Sequence, residues 1–220
     1  MSSKTQWLKE TGSALLIVLT LTFLFSAIII TAATVVTIES TVSGRYKDGI
    51  EALYIAEAGL AVVLAELRGL PDWTPVLGGA ISSIASQGAF GGSAPVAGGT
   101  VFLCCGARSV FARLASESVS SAVPARRTLA WHPYLWSSWN ALAGQPGAGQ
   151  FFLIVLIEDD EEDGDRDQGT DLNGVVVVRS EAVRPDGLRR SVEALVAREA
   201  GDPGHGIPAS VRVLRWGEVR

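Results

Sequence analysis

The sequence predicts an α+β protein: one long N-terminal helix, apolar enough in its first half to span a membrane, laid across a C-terminal antiparallel sheet. Three observations carry this expectation. Residues 11–38 contain no charged side chain. Apolar residues then recur at helical spacing, with no proline between Glu39 and Arg68. From residue 151 onward, short apolar runs alternate with turn signals.

The charge-free run is the first element. About 20 apolar helical residues cross a bilayer core, whereas the apolar part of a secretory signal is only about 7–15 residues long. Residues 13–38 are therefore expected to span a membrane, although a cut after Thr31-Ala32-Ala33 is also conceivable. Lys4 and Lys9 lie close to the start of the span, while Arg45 and Lys47 lie well past its end. The basic flanks are nearly balanced and lean toward a cytoplasmic N-terminus.

Residues 39–69 are expected to continue the same helix. Ile50, Leu53, Tyr54, Leu60, Ala61, Leu64 and Leu67 fall three or four apart, interrupted at Glu57, and mark one candidate buried face. Gly69-Leu70-Pro71 supplies a stop. A helix over 13–68 would be roughly 84 Å long. Gly44, Gly49 and Gly59 each weaken it by about 1 kcal/mol relative to alanine, so a bend near Gly44–Gly49 is expected.

Residues 70–150 are rich in Gly, Ala and Ser and read as loop-rich, with a strand over 101–105 and a short helix over 107–119 as candidates. Trp131, Trp136 and Trp139 fall within nine residues of one another. They fit either a small core or an exposed partner-contact surface. In residues 151–220 the expected strands are Phe151–Ile157, Val175–Ala182, Arg190–Arg198 and Val211–Trp216. Arg184-Pro185-Asp186-Gly187 is a turn joining the second and third.

The net charge of −5 conceals an acidic loop. Residues 158–171 carry nine carboxylates and one arginine, a local −8 that leaves the rest of the chain at +3. No basic balance argues for nucleic-acid binding. In the acidic loop, 158–174, the oxygens of Asp163, Asp165, Asp167, Asp171 and Asn173 could wrap a Ca²⁺ ion, since hard cations take carboxylate and amide oxygens. The spacing is not that of an EF-hand, because Gln168 and Gly174 stand where glycine and glutamate are required. A merely solvated loop fits equally. Cys104 and Cys105 are adjacent, which suits two part-buried small residues or a bridge, and not a zinc site. No nucleophile–base set, phosphate-cradling loop or zinc spacing is present, so an enzyme is not expected.

Gly12-Ser13-Ala14-Leu15-Leu16-Ile17-Val18 resembles the start of a mature type IV pilin-like protein. Ser43-Gly44-Arg45-Tyr46-Lys47-Asp48, followed by Ala52-Leu53-Tyr54-Ile55-Ala56-Glu57-Ala58-Gly59-Leu60, resembles the N-terminal domain of PilX-type minor pilins. The resemblance covers about residues 8–68. It implies a leader over 1–12, cut after Gly12 by a prepilin peptidase on the cytoplasmic side, and N-methylation of Ser13. It also implies a retained helix that serves first as a bacterial inner-membrane anchor and then as a filament core, with the C-terminal domain in the periplasm. Implied partners are other pilins and minor pilins and the inner-membrane assembly platform. Ile17 stands where a major pilin has glutamate, which fits a minor or tip subunit of a type IV pilus. The alternatives are a type II secretion minor pseudopilin and a single-pass anchored binding protein that enters no filament.

Overall fold

The computed structural model describes residues 4–84, 90–104, 109–114, 131–145, 147, 149–160, 167–199, 201 and 209–219, with side chains from Ser13 onward. The chain divides into two units, residues 1–48 and 49–220. Helix α1, Lys4–Arg68, supplies the described part of the first unit and the first element of the second. It begins at Lys4, earlier than expected, and its helical backbone continues through Gly44 and Gly49. It ends where the Gly-Leu-Pro signal says it should: Gly69 N–H donates to Glu66 O and Leu70 N–H to Leu67 O.

The second unit is built on a five-stranded antiparallel meander: β3 His132–Ser138, β4 Phe152–Asp159, β5 Val175–Val183, β6 Arg189–Glu199 and β7 Ser210–Val219, in that spatial order. Two short strands, β1 Ser93–Val96 and β2 Gly99–Phe102, form a separate hairpin. Single-turn helices α2, Thr74–Leu77, and α3, Trp139–Leu142, complete the elements used below. The expected strand over 101–105 is β2, displaced toward the N-terminus. Within the expected 107–119 helix, residues 110–114 are helical. Ser109 is a bend, and residues 107–108 and 115–119 lie outside the described residues.

The four C-terminal strands appear where expected, each slightly longer. The turn between β5 and β6 closes through Arg184 N–H to Leu188 O and Gly187 N–H to Arg184 O, with Gly187 at φ +91°. That positive φ explains the glycine. β3 was not expected. It pairs with β4 with an irregularity between Pro133 and Leu135, a position where an edge strand tolerates proline.

The sheet is covered on both faces. On one face, Leu135, Leu153, Val155, Ile157, Val176, Val178, Ala182, Val192, Ala194 and Val196 pack with residues 52–67 of α1 and with Trp73, Val76 and Leu77. On the other, Trp136, Phe152, Ile154 and Leu156 pack with Val96, Val101, Leu103, Val110, Leu114 and Trp131. β4 is buried on both faces, which is why it reads as an unbroken apolar run.

The buried stripe of α1 differs from the expected one. Gly49, Ala52, Ala56, Gly59, Val63 and Leu67 form it, with Ile55 and Leu60 beside them. Tyr54 is 66% exposed and Ala61 is also exposed, so neither belongs to the core face. The reason is close approach. A Cβ on Gly59 would lie 2.6 Å from Leu153 Cδ1 and 2.7 Å from Ser180 Oγ. Small residues let the helix backbone settle onto the sheet, Ile55 and Leu60 are buried beside them, and Leu53, Val62 and Leu64 farther round are partly buried.

Candidate functional site

The first unit presents an apolar helix surface. Residues 13–47 are exposed throughout, and among the described residues α1 is the one helix long and apolar enough to cross a membrane. Its hydroxyls are turned back onto its own backbone. Thr20, Thr22, Ser26, Thr31, Thr34, Thr37 and Thr41 each donate to a carbonyl three or four residues earlier, at 2.7–3.0 Å. Between residues 14 and 38 such back-bonding engages every hydroxyl donor, which suits a hydrocarbon environment. A single N-terminal helix of this kind is compatible with a membrane anchor. The α1 backbone is helical through Gly12 and Ser13, and Ser13 is exposed.

The tryptophan cluster divides. Trp131 and Trp136 are buried, the latter in an edge-to-face contact with Phe90 at 5.0 Å. Both rings are core, so neither offers a partner-contact surface. Trp139, the first residue of α3, is half buried against the helix-side core. Trp73 was not singled out by its sequence context, yet it is fully buried. Its Nε1–H donates to Leu67 O, and Arg198 lies 5.8 Å from its ring centroid. Arg198 also donates to Pro71 O. The segment leaving α1 is thus fastened to β6.

In the acidic loop, Asp163 and Asp165 lie outside the described residues. Asp167 accepts from Gly169 N–H and Thr170 Oγ1–H at 3.1 Å each. Asp171 is buried, and its Oδ1 accepts from Gly174 N–H at 2.7 Å. Asn173 donates to Asp160 Oδ1 and accepts from Val175 N–H. These contacts shape the return into β5. Among the described residues, no group of three or more His, Cys, Asp or Glu side chains is arranged to hold a metal ion. Cys104 is disulfide-bonded. Cys105 lies outside the described residues.

Two ionic clusters tie elements together. Glu66 of α1 accepts from Ser82 Oγ–H at 2.6 Å and from Ser83 N–H and Oγ–H at 2.9 Å, and it is hydrogen-bonded to Tyr134 of β3. Partial burial pushes the Glu66 carboxyl upward, but these donors together hold it below the usual carboxylate range. Burial and the Glu66 charge push the Tyr134 phenol up. On the other face, Arg113 pairs with the fully buried Glu181, whose second oxygen lies 4.0 Å from Arg179. A cleft of about 290 Å³ lies among Ala97, Gly98, Gln150, Arg184, Pro185 and Asp186. Its cation is engaged, since Arg184 pairs with Asp186 at 2.6 Å and lies over the Phe151 ring. Each of these charges has an architectural partner, and these contacts fasten one element to another.

Sequence reasoning missed β3, the glycine–alanine face of α1 and the Glu66 cluster. The spacing of Gly49, Ala52, Ala56, Gly59 and Val63 was a usable signal, because small residues at helical period also mark a buried face. No protein-family model, curated protein or solved structure matches this chain.

Proposed function

We propose that the protein is a minor pilin-like structural subunit that acts in type IV pilus assembly, at the tip or as a primer or decoration of the filament. The supporting observation is the division of α1. One continuous helix exposes an apolar surface over 13–38, stays exposed through 47 and then packs a glycine–alanine face on an antiparallel sheet. A subunit that passes from membrane to filament needs this combination: a helix satisfied in an apolar medium and a folded unit on its end. In this reading a prepilin peptidase cuts after Gly12, and Ser13 becomes the methylated N-terminus in the inner membrane. The folded unit lies in the periplasm. The partners are other pilins and the assembly platform.

Intact-mass measurement and N-terminal sequencing of the chain from cells with an active prepilin peptidase test this. The reading predicts a chain that begins at Ser13 and carries one added methyl. A chain retaining residues 1–12 in such cells contradicts it and favours the anchored binding protein. A type II secretion minor pseudopilin would give the same N-terminus. Co-purification with pilus filaments, as against the secretion machinery, separates the two.

A further inference from the structure

The two edges of the five-stranded sheet are finished differently. At the β3 edge the chain covers itself, with Ser82 N–H donating to Tyr134 O. At the β7 edge, nine of its ten residues pair with β6 on one side, Leu214 falling at a register shift, and among the described residues no backbone group pairs with the other. An unpaired row of N–H and C=O groups is complementary to another extended strand.

The side chains of β7 narrow the choice of strand. In register, Val213 stands opposite Val196 and Trp216 opposite Ala194, so both lie on the α1 side of the sheet. Val213 is 45% and Trp216 52% exposed. Arg212 and Arg215 stand opposite Ala197 and Leu195, on the other side. Their side chains are 64% and 75% exposed, and each has only a surface pair, Arg212–Glu199 at 2.9 Å and Arg215–Glu193 at 4.0 Å. Around Val213–Trp216 one side of the open edge is therefore apolar and the other cationic, with Glu218 farther along on the apolar side paired to Arg190. A second copy of β7 does not fit. A two-fold axis perpendicular to the sheet keeps each face on its own side, and it would bring Arg212 and Arg215 of both copies together.

We propose that the free edge of β7 receives an extended segment of a partner protein in which apolar and acidic residues alternate. Apolar residues would stack on Val213 and Trp216, acidic residues would pair with Arg212 and Arg215, and backbone hydrogen bonds would continue the sheet. This goes beyond the filament reading and does not depend on it, since an anchored binding protein could use the same edge.

The test uses the full chain in lipid nanodiscs and a synthetic ten-residue peptide alternating valine and glutamate. Three controls accompany it: the same peptide with alternate amides N-methylated, one alternating valine and lysine, and one of scrambled order. Binding is read by isothermal titration and by amide exchange in β7. The expected result is saturable binding of the Val/Glu peptide with slowed exchange in residues 210–219. N-methylation on the pairing edge should weaken binding at least tenfold. The double substitution Arg212→Glu and Arg215→Glu should shift preference to the Val/Lys peptide. Equal binding of the N-methylated or scrambled peptide, or no binding of the Val/Glu peptide, overturns the proposal. So does concentration-dependent self-association of the chain through β7.

Discussion

The two halves of α1 bury themselves in opposite ways. Residues 13–38 carry large apolar side chains around the circumference and leave them exposed, and the exposure continues through the more polar residues 39–47. Residues 49–67 turn one narrow stripe of glycine, alanine and valine toward the sheet and hide it completely. The charge-free part of the first half is compatible with an apolar solvent, where side-chain size matters little and every hydroxyl must be satisfied within the helix. The second half meets a fixed protein surface, where size is everything. Glycine shows the contrast most directly: a Cβ on Gly44 would meet nothing within 4 Å, while one on Gly59 would collide with Leu153 and Ser180.

The largest expected effect follows from that pair. Gly59→Leu should destabilise the folded unit by roughly 3 kcal/mol or more through overpacking, measured as a fall in the urea midpoint followed by tryptophan fluorescence. Survival of the midpoint would mean that α1 does not sit closely on β4 and β5. Next in size is Leu24→Arg. A charge at the centre of a membrane helix costs about 3 kcal/mol of insertion, so the variant should be extracted from membranes by alkaline carbonate while the urea midpoint of the folded unit stays unchanged. Full resistance to extraction would argue against lipid around residues 13–38.

A smaller effect belongs to the Glu66 cluster, where α1 meets β3 and the Ser82–Ser83 segment. Glu66 is held below its ordinary value in the folded state. Its ionised form therefore stabilises the fold above the unfolded-state pKa, and that contribution disappears as pH falls through the lower folded value. Glu66→Gln should cost about 1 kcal/mol near neutral pH and progressively less as pH falls below the unfolded-state value, which a pH series of urea midpoints would reveal. A cost independent of pH would mean that the charge is not what the serines bind. The smallest effect returns to the other glycine. Gly44→Ala should leave the folded unit untouched and raise helix stability by up to about 1 kcal/mol, detectable as slower amide exchange over residues 40–48. Faster exchange there would show that Gly44 serves a purpose helix propensity does not capture.

The sequence made local features legible. The charge-free run, the Gly69 stop and the Arg184–Gly187 turn are each set by residues within a few positions of one another. On the expected face of α1, Leu60 and Leu67 are core and Leu53 and Leu64 pack against it, but Tyr54 and Ala61 are exposed and the small residues were overlooked, because their packing partner, Leu153 with Ser180, lies far away along the chain. β3 was hidden by Pro133, which is tolerated because that strand lies at an edge and its register shifts there. Trp131 and Trp136 allowed a core or a surface reading; a strand and a short helix were expected after residue 100, but not that they would cover the second sheet face, and that cover decided for the core. Among the candidate metal ligands, Asp167, Asp171 and Asn173 have local backbone partners that composition alone does not reveal.

Hydrogen–deuterium exchange of the full chain in lipid nanodiscs tests the division of α1 most directly. Two protected blocks are predicted, residues 14–38 shielded by lipid and residues 52–67 by the sheet, separated by faster exchange over 39–47. Exchange over 14–38 as fast as over 39–47, with lipid present, would contradict the assignment of the first half to a membrane.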